Sequence, residues 1–433
     1  MQLRNVTGTG EQRSRRARRP RTSTLAAGLA GTGLWLAACA SPSVPGPSAT
    51  GSSFSTVPAA PPTSTAIYVP PTSSSTTNVA GGPPGATVGP DARFVVAPHP
   101  AASRGVGPPE GSPVTGIRRD CGMSTPLSGG RALWIYCDTG IWGADARLQY
   151  FVTTTATVAS PDEPLVMRDA LDATSRPVGF LTTADDYPVC HDGARRSAWP
   201  MSAVTVPGDG SDRVLIWYHN VCLVPRAAET FDIGLAEIVI PADHRPEDPL
   251  VAHVVTPRLF GKLGRGGSFG AAAEVFEGDA YVWWCDLAET PCFLARAPLD
   301  RVQDLAAYTY WTGAGWGAEQ GRMAPLPLGP VASRISSSVR WVPALASFVM
   351  LDMDGWGRLD LRFADRPEGP WSAAQTSILE ECPGTYPENC FAGAIHAQLS
   401  DAAHLAVGYF DPRQPFGTGR STRVIDIGLT PRG

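Results

Sequence analysis

Ser128-Gly129-Gly130-Arg131-Ala132-Leu133-Trp134-Ile135-Tyr136-Cys137-Asp138-Thr139-Gly140 is the stretch that decides the fold. A small-residue turn feeds an apolar run, and the run ends on an acid. Weaker copies recur at Leu215 to His219, Tyr281 to Asp286, Phe348 to Asp352 and Leu405 to Asp411. Each copy follows a turn-like segment, at 207–212, 277–279, 343–346 and 400–402. Before the turns lie strands unusually rich in small residues: Met201 to Val204, Phe269 to Ala273, Ser336 to Val339 and Phe391 to Ile395. After most runs comes a third strand, as at Ile233 to Val239, Phe293 to Ala297 and Leu359 to Phe363.

Self-similarity at one spacing marks a repeat architecture. Five units of a small-residue strand, a hydrophobic strand and an outer strand describe an all-β chain folded as a five-bladed β-propeller. The small residues have a steric cause, because the innermost strands crowd around the axis. A two-sheet sandwich would not place small strands at one phase of every repeat. No window carries a convincing 3.6-residue apolar period over three turns.

The rest of the chain falls into place around residues 93–433, the propeller. Residues 1–38 hold seven Arg against one acid, Glu11, a local charge of +6; the whole chain is −5, so the remainder is −11. That acidic remainder lacks the basic footprint of a nucleic-acid binder. The leader continues into an apolar segment, Leu25 to Ala38, too short and too rich in Gly and Ala to span a bilayer, which needs roughly 20 apolar residues. Its order is that of a secretory signal. Leu36-Ala37-Ala38-Cys39 resembles the bacterial lipobox, so Cys39 is expected to be lipidated and to tether the chain to the outer face of the cell membrane. Residues 39–92 are dominated by Pro, Ser, Thr, Ala and Gly, and read as a disordered tether.

Export implies an oxidising compartment. Beyond Cys39 eight cysteines remain, and sequence order pairs them as Cys121–Cys137, Cys190–Cys222, Cys285–Cys292 and Cys382–Cys390. No CxxC spacing exists, so no zinc site is expected.

The first hairpin carries the best candidate for chemistry. With Ser128-Gly129-Gly130 as a three-residue loop, residues whose numbers sum to 258 face each other. Cys121 then meets Cys137 on one face, and Asp120 meets Asp138 on the other, because side chains alternate. Directly opposed residues have Cβ atoms about 5 Å apart. Two acids at that spacing cannot both ionise freely, so one carboxyl is expected to hold its proton and serve as general acid beside an ionised partner. The structural alternative is that Asp138 caps its strand end while Asp120 faces solvent or pairs with Arg118 or Arg119. Cys137-Asp138-Thr139-Gly140 also imitates the aspartic-protease signature, but no second copy exists and the five repeats contradict that fold.

Further candidates sit in or just after the small-residue strands. Arg340 would hold a substrate oxygen or ion-pair between blades. Glu274 would face the channel. His396 would shuttle a proton or be hydrogen-bonded structure. Asp286 shares the phase of Asp138 beside Cys285. Trp199 is one of twelve Trp; such rings stack on sugars or fill gaps between blades. No nucleotide loop, dinucleotide fingerprint or Gly-x-Ser-x-Gly elbow is present, so no cofactor is expected, and no residue pattern indicates a structural calcium ion in the channel.

Three motifs in the second half come in a familiar order: Tyr308-Thr309-Tyr310-Trp311-Thr312-Gly313-Ala314-Gly315-Trp316, Ser336-Ser337-Ser338-Val339-Arg340-Trp341, and Asp365-Arg366-Pro367-Glu368-Gly369-Pro370-Trp371-Ser372. They resemble the exported bacterial five-bladed propellers of the domain-of-unknown-function 4185 family, over about 115 to 415. Family members usually have Gly-Asp-Thr where this chain has Cys137-Asp138-Thr139. Some members look like endo-acting D-arabinofuranosidases. The resemblance implies a glycoside hydrolase acting on an arabinofuranose-containing polysaccharide; with the lipobox this gives an envelope-tethered, monomeric enzyme, and the alternative, which the fold alone leaves open, is a surface propeller that binds a polysaccharide or protein without cleaving it.

Overall fold

The hydrophobic runs are unbroken, not alternating, because each lies in a strand covered on both faces by neighbouring blades. The computed structural model describes residues 92–432, apart from 144, 185–186, 225–226, 264–267, 286–290, 330–334, 383, 385–388 and 416–417. The expected leader, residues 39–91 of the expected tether with Cys39, and Asp286 lie outside the described residues, while Ala92, the last residue assigned to the tether, is buried against the propeller core.

Strands β1 (Phe94–Val96) and β2 (Arg104–Val106) precede the first blade, which holds β3 (Ile117–Arg119), β4 (Met123–Pro126), β5 (Ala132–Trp142) and β6 (Leu148–Ala159). The second blade is β7 (Arg195–Gly208), β8 (Ser211–Val224), β9 (Ala227–Pro241) and β10 (His253–Phe260). The third is β11 (Ala272–Phe276), β12 (Asp279–Cys285), β13 (Cys292–Pro298), β14 (Thr309–Trp311) and β15 (Trp316–Gly317). The fourth is β16 (Ser336–Val342), β17 (Ser347–Met353), β18 (Arg358–Ala364) and β19 (Gln375–Ile378). The fifth is β20 (Phe391–Ile395), β21 (His404–Phe410) and β22 (Thr422–Pro431), completed by β1 and β2 from the other end of the propeller. The innermost strands β4, β7, β11, β16 and β20 touch one another in turn, and β20 returns to β4, so the ring is closed.

Hydrophobic clusters fill the seams. Leu133, Ile135, Ile216, Tyr218 and Ile238 join blades one and two. On the other face of β8, Leu215 and Trp217 meet Val282 and Trp284 of blade three. Alternate residues of one strand thus serve opposite seams, which is why the runs carry no polar face. Trp134, Trp217, Trp283 and Trp371 are fully buried in these seams.

The closure by β1 and β2 is a feature the repeats did not announce. Phe94 pairs with Pro431 and Val96 with Leu429, and both side chains enter the seam between blades four and five, the Phe94 ring lying 5.4 Å from that of Phe363. Phe94→Ala is expected to cost about 3 kcal/mol, the range for emptying a buried aromatic position, and chemical denaturation of the propeller will read it. The four expected disulfides are all formed. Cys382–Cys390 lies in the connection between blades four and five.

Candidate active site

The hairpin register is the one the loop length demands. Met123 faces Ile135 and Pro126 faces Ala132, while beyond the break Ile117 faces Ile141 and Arg119 faces Thr139. Between β3 and β4, Cys121 and Gly122 both adopt positive φ (65° and 68°). A non-Gly residue in that region costs of order 1 kcal/mol and persists only where its surroundings hold it, here the Cys121–Cys137 bridge. The break interrupts the ladder without changing the register.

Asp120 consequently lies opposite Asp138. The Asp120 amide donates to the Asp138 carbonyl oxygen at 3.1 Å, and the Asp138 amide donates to Asp120 Oδ1 at 2.8 Å. Asp138 is only 7% exposed, whereas Asp120 is half-buried. Trp199, from the start of blade two, donates its indole N–H to Asp138 Oδ1 at 3.1 Å. That indole packs with Cys137 and Val221, so the disulfide and the Trp form one wall of the carboxylate pair.

Burial raises both carboxyls, and they differ in what opposes it. Asp120 is pushed up to about 6 by desolvation, partly offset by backbone N–H groups. Asp138 is raised well above the ordinary carboxylate range, by desolvation first and by the Asp120 charge second; the Trp199 N–H and the Arg195 charge pull the other way. Two acids in one desolvated site share a proton. Asp138, the more buried of the two and raised further by the Asp120 charge, is the one that keeps it. Arg195, which also lies over the Phe151 ring at 4.9 Å, is a neighbour the sequence did not mark; no periodicity distinguishes it at the start of β7.

Arg340, Glu274 and His396 form a separate group around the axis. The Arg340 guanidinium donates to the carbonyl oxygens of Ala203 (2.8 Å), Ala273 (3.2 Å) and Ser124 (3.2 Å), which belong to three different blades. Glu274 lies 3.9 Å from it and accepts the Trp341 amide at 3.1 Å. His396 is fully buried, its Nδ1 2.6 Å from Ser124 Oγ and its ring 4.5 Å from that of Trp134. Burial, then the Arg340 charge, lowers it to about 3, so the ring is neutral. Ser124 is four residues beyond Asp120, up to about 13 Å of extended strand. The structure therefore brings Asp120, Asp138 and Trp199 together and sets the other three deeper along the axis, as ties between blades.

Among the described residues one group has metal-like donor spacing, Asp120 with Cys121 and Cys137. The disulfide occupies both sulfurs, so that set does not fit a cation. No described helix is long and apolar enough to cross a membrane.

No curated protein matches the chain. Similar solved structures include a Bacteroides ovatus protein (13% identity, 75% of this chain and 87% of that chain, TM-score 0.49). They also include Zg3597, a family 117 glycoside hydrolase from Zobellia galactanivorans (12% identity, 78% and 90%, TM-score 0.43). A third is the α-L-arabinofuranosidase PaAbf62A from Podospora anserina, in complex with cellotriose (12% identity, 78% and 96%, TM-score 0.37). Residues 263–410 match the family model described as Domain of unknown function (DUF4185), so the second half of this five-bladed propeller carries the signature of that family.

Proposed function

We propose that the protein is a glycoside hydrolase acting on an arabinofuranose-containing polysaccharide of the cell envelope. The observation that carries the reading is the facing pair Asp120, just past the end of β3, and Asp138, inside β5, two desolvated carboxyls that share a proton. Asp138 protonates the leaving oxygen, and Asp120, the more open of the two, acts as base or nucleophile. The choice of an arabinofuranose substrate rests on the family-like motifs of the second half. Incubation with arabinogalactan should release reducing sugar. No release from arabinogalactan or from an arabinan, xylan and fructan panel would sink the reading.

A second reading is favoured by one observation. Asp138 sits under the Trp199 indole and is only 7% exposed, a covering that suits a surface propeller which binds without cleaving. The same degradation screen separates the two.

The cell-surface placement is part of the proposal and rests on the Leu36-Ala37-Ala38-Cys39 sequence alone. Cells fed a radiolabelled fatty acid should label the full chain, and Cys39→Ser should abolish the label and release the protein to the medium. Labelling that survives Cys39→Ser would rule out this anchor.

A further inference from the structure

Blade one projects beyond the carboxylate pair, and its projection is hollow. A cavity of about 470 Å³ lies between the segment 113–116, the tip of the β5–β6 hairpin and the turn at 174–176. Its wall contains two aromatic rings, Trp142 and Tyr150, and polar groups at Gln149, Thr115, Thr174 and Arg176. A cleft of this size, part ring and part hydrogen-bonding group, is typical of small-molecule sites.

The walls are held in place. The Trp142 amide donates to the Gly116 carbonyl at 3.0 Å, fixing one wall to the hairpin tip. Tyr150 donates its hydroxyl to the Pro177 carbonyl at 3.1 Å. Asp172 Oδ1 accepts from the Thr174 and Arg176 amides (2.8 and 3.1 Å) and so shapes the turn that closes the third side.

The chemistry of the walls selects the ligand. Arg176 is the single charged side chain of the lining; it lies over the Tyr150 ring at 5.1 Å, and the neighbouring Asp172 carboxylate offsets its charge. A neutral ligand is therefore favoured over an anion. Ring faces beside amide and hydroxyl groups suit a molecule with an apolar C–H face and a rim of hydroxyls, which is a sugar ring.

Placement gives the pocket its role. Asp138, Gly140 and Trp142 alternate along β5 and point to one face. Gly140 leaves that face bare, and the Trp142 indole folds back over it: a Cβ at Gly140 would stand 2.8 Å from Trp142 Nε1. The pocket and the carboxylates are thus two stations on one strand, about 13 Å apart at four residues.

We propose that the Trp142–Tyr150 pocket is a saccharide subsite, binding neutral sugar units that flank the bond placed at Asp138. The ligand class rests on the carbohydrate reading above. The test is calorimetric titration of the full chain carrying Asp138→Asn, to prevent turnover, with arabino-oligosaccharides of two to six units. Two further substitutions are compared in that background: Trp142→Ala, and Thr115→Trp, which fills the cavity from an exposed position and removes no buried group. Both should weaken hexasaccharide binding by about tenfold or more. Unchanged affinity in a folded Thr115→Trp variant, or no binding before it is introduced, overturns the subsite. Hydrolysis by the unsubstituted protein without such binding leaves the carboxylate reading standing and removes the pocket. Pocket-dependent binding without hydrolysis supports the pocket and removes the catalytic reading.

Discussion

Asp138→Asn is expected to lower sugar release by about a hundredfold or more while raising the stability of the folded protein at pH 7. The first effect follows from losing the general acid, a contribution of about 10²–10⁴. The second follows from the sign of the pKa shifts. Both carboxyls are raised in the folded state, so the folded protein prefers them protonated. Below the ordinary carboxylate value near 3.8 the pair is neutral in both states and imposes nothing. As pH rises from there toward about 6 the unfolded chain ionises first, and stability is lost across that window. The rise at Asp120 corresponds to about 3 kcal/mol at most, shared with its partner. An amide at 138 still accepts the Trp199 N–H and is neutral at any pH, so folding no longer has to hold a carboxyl protonated against solution at pH 7, and a gain of about 1–3 kcal/mol is expected there. Asp120→Asn, whose Oδ1 still accepts the Asp138 amide, should behave alike. Denaturant titrations at pH 4 and pH 7 check this: the variants' advantage should be present at pH 7 and nearly gone at pH 4. A variant less stable than the parent at pH 7 would contradict the shared-proton account.

Arg340→Met is expected to destabilise the propeller by about 3–5 kcal/mol, a fall of order ten degrees in Tm. The physical reason is what the guanidinium leaves behind. Three carbonyl oxygens from β4, β7 and β11 lose their donor, and the half-buried Glu274 is left beside no cation. Burial lowers Arg340 and raises Glu274, so desolvation outweighs their attraction at 3.9 Å, and the carbonyl bonds are the larger gain. Glu274→Gln keeps an acceptor for the Trp341 amide and should cost less than Arg340→Met. Arg340→Lys should not restore the parent, because a compact ammonium cannot spread across three blades as a planar fork does. Thermal unfolding of the three variants ranks them.

The hairpin arithmetic and the inner-strand composition were legible in the chain because each is a local rule. A three-residue loop fixes which residues oppose each other, and that alone placed Cys121 against Cys137 and Asp120 against Asp138. Crowding at an axis excludes bulk, which is why Phe391-Ala392-Gly393-Ala394-Ile395 read as an innermost strand and is β20. The four disulfides followed order along the chain because each closes a short loop.

Other features were settled only when the blades met. Trp199 reaches Asp138 across a seam from 61 residues away, Arg340 crosses the axis to a strand 216 residues distant, and Phe94 closes the ring against Pro431. Nothing periodic marks these residues, because the partner of each is set by how neighbouring blades lie, not by spacing along one strand. The Trp142–Tyr150 cavity is of the same kind, since its third wall comes from the turn at 174–176. The sequence by itself determined the ring of five and the facing carboxyls, through turn length and side-chain size. The tertiary structure decided which acid is buried, which Trp covers it and what lies beside it, because burial and inter-blade contact exist only once the ring is closed.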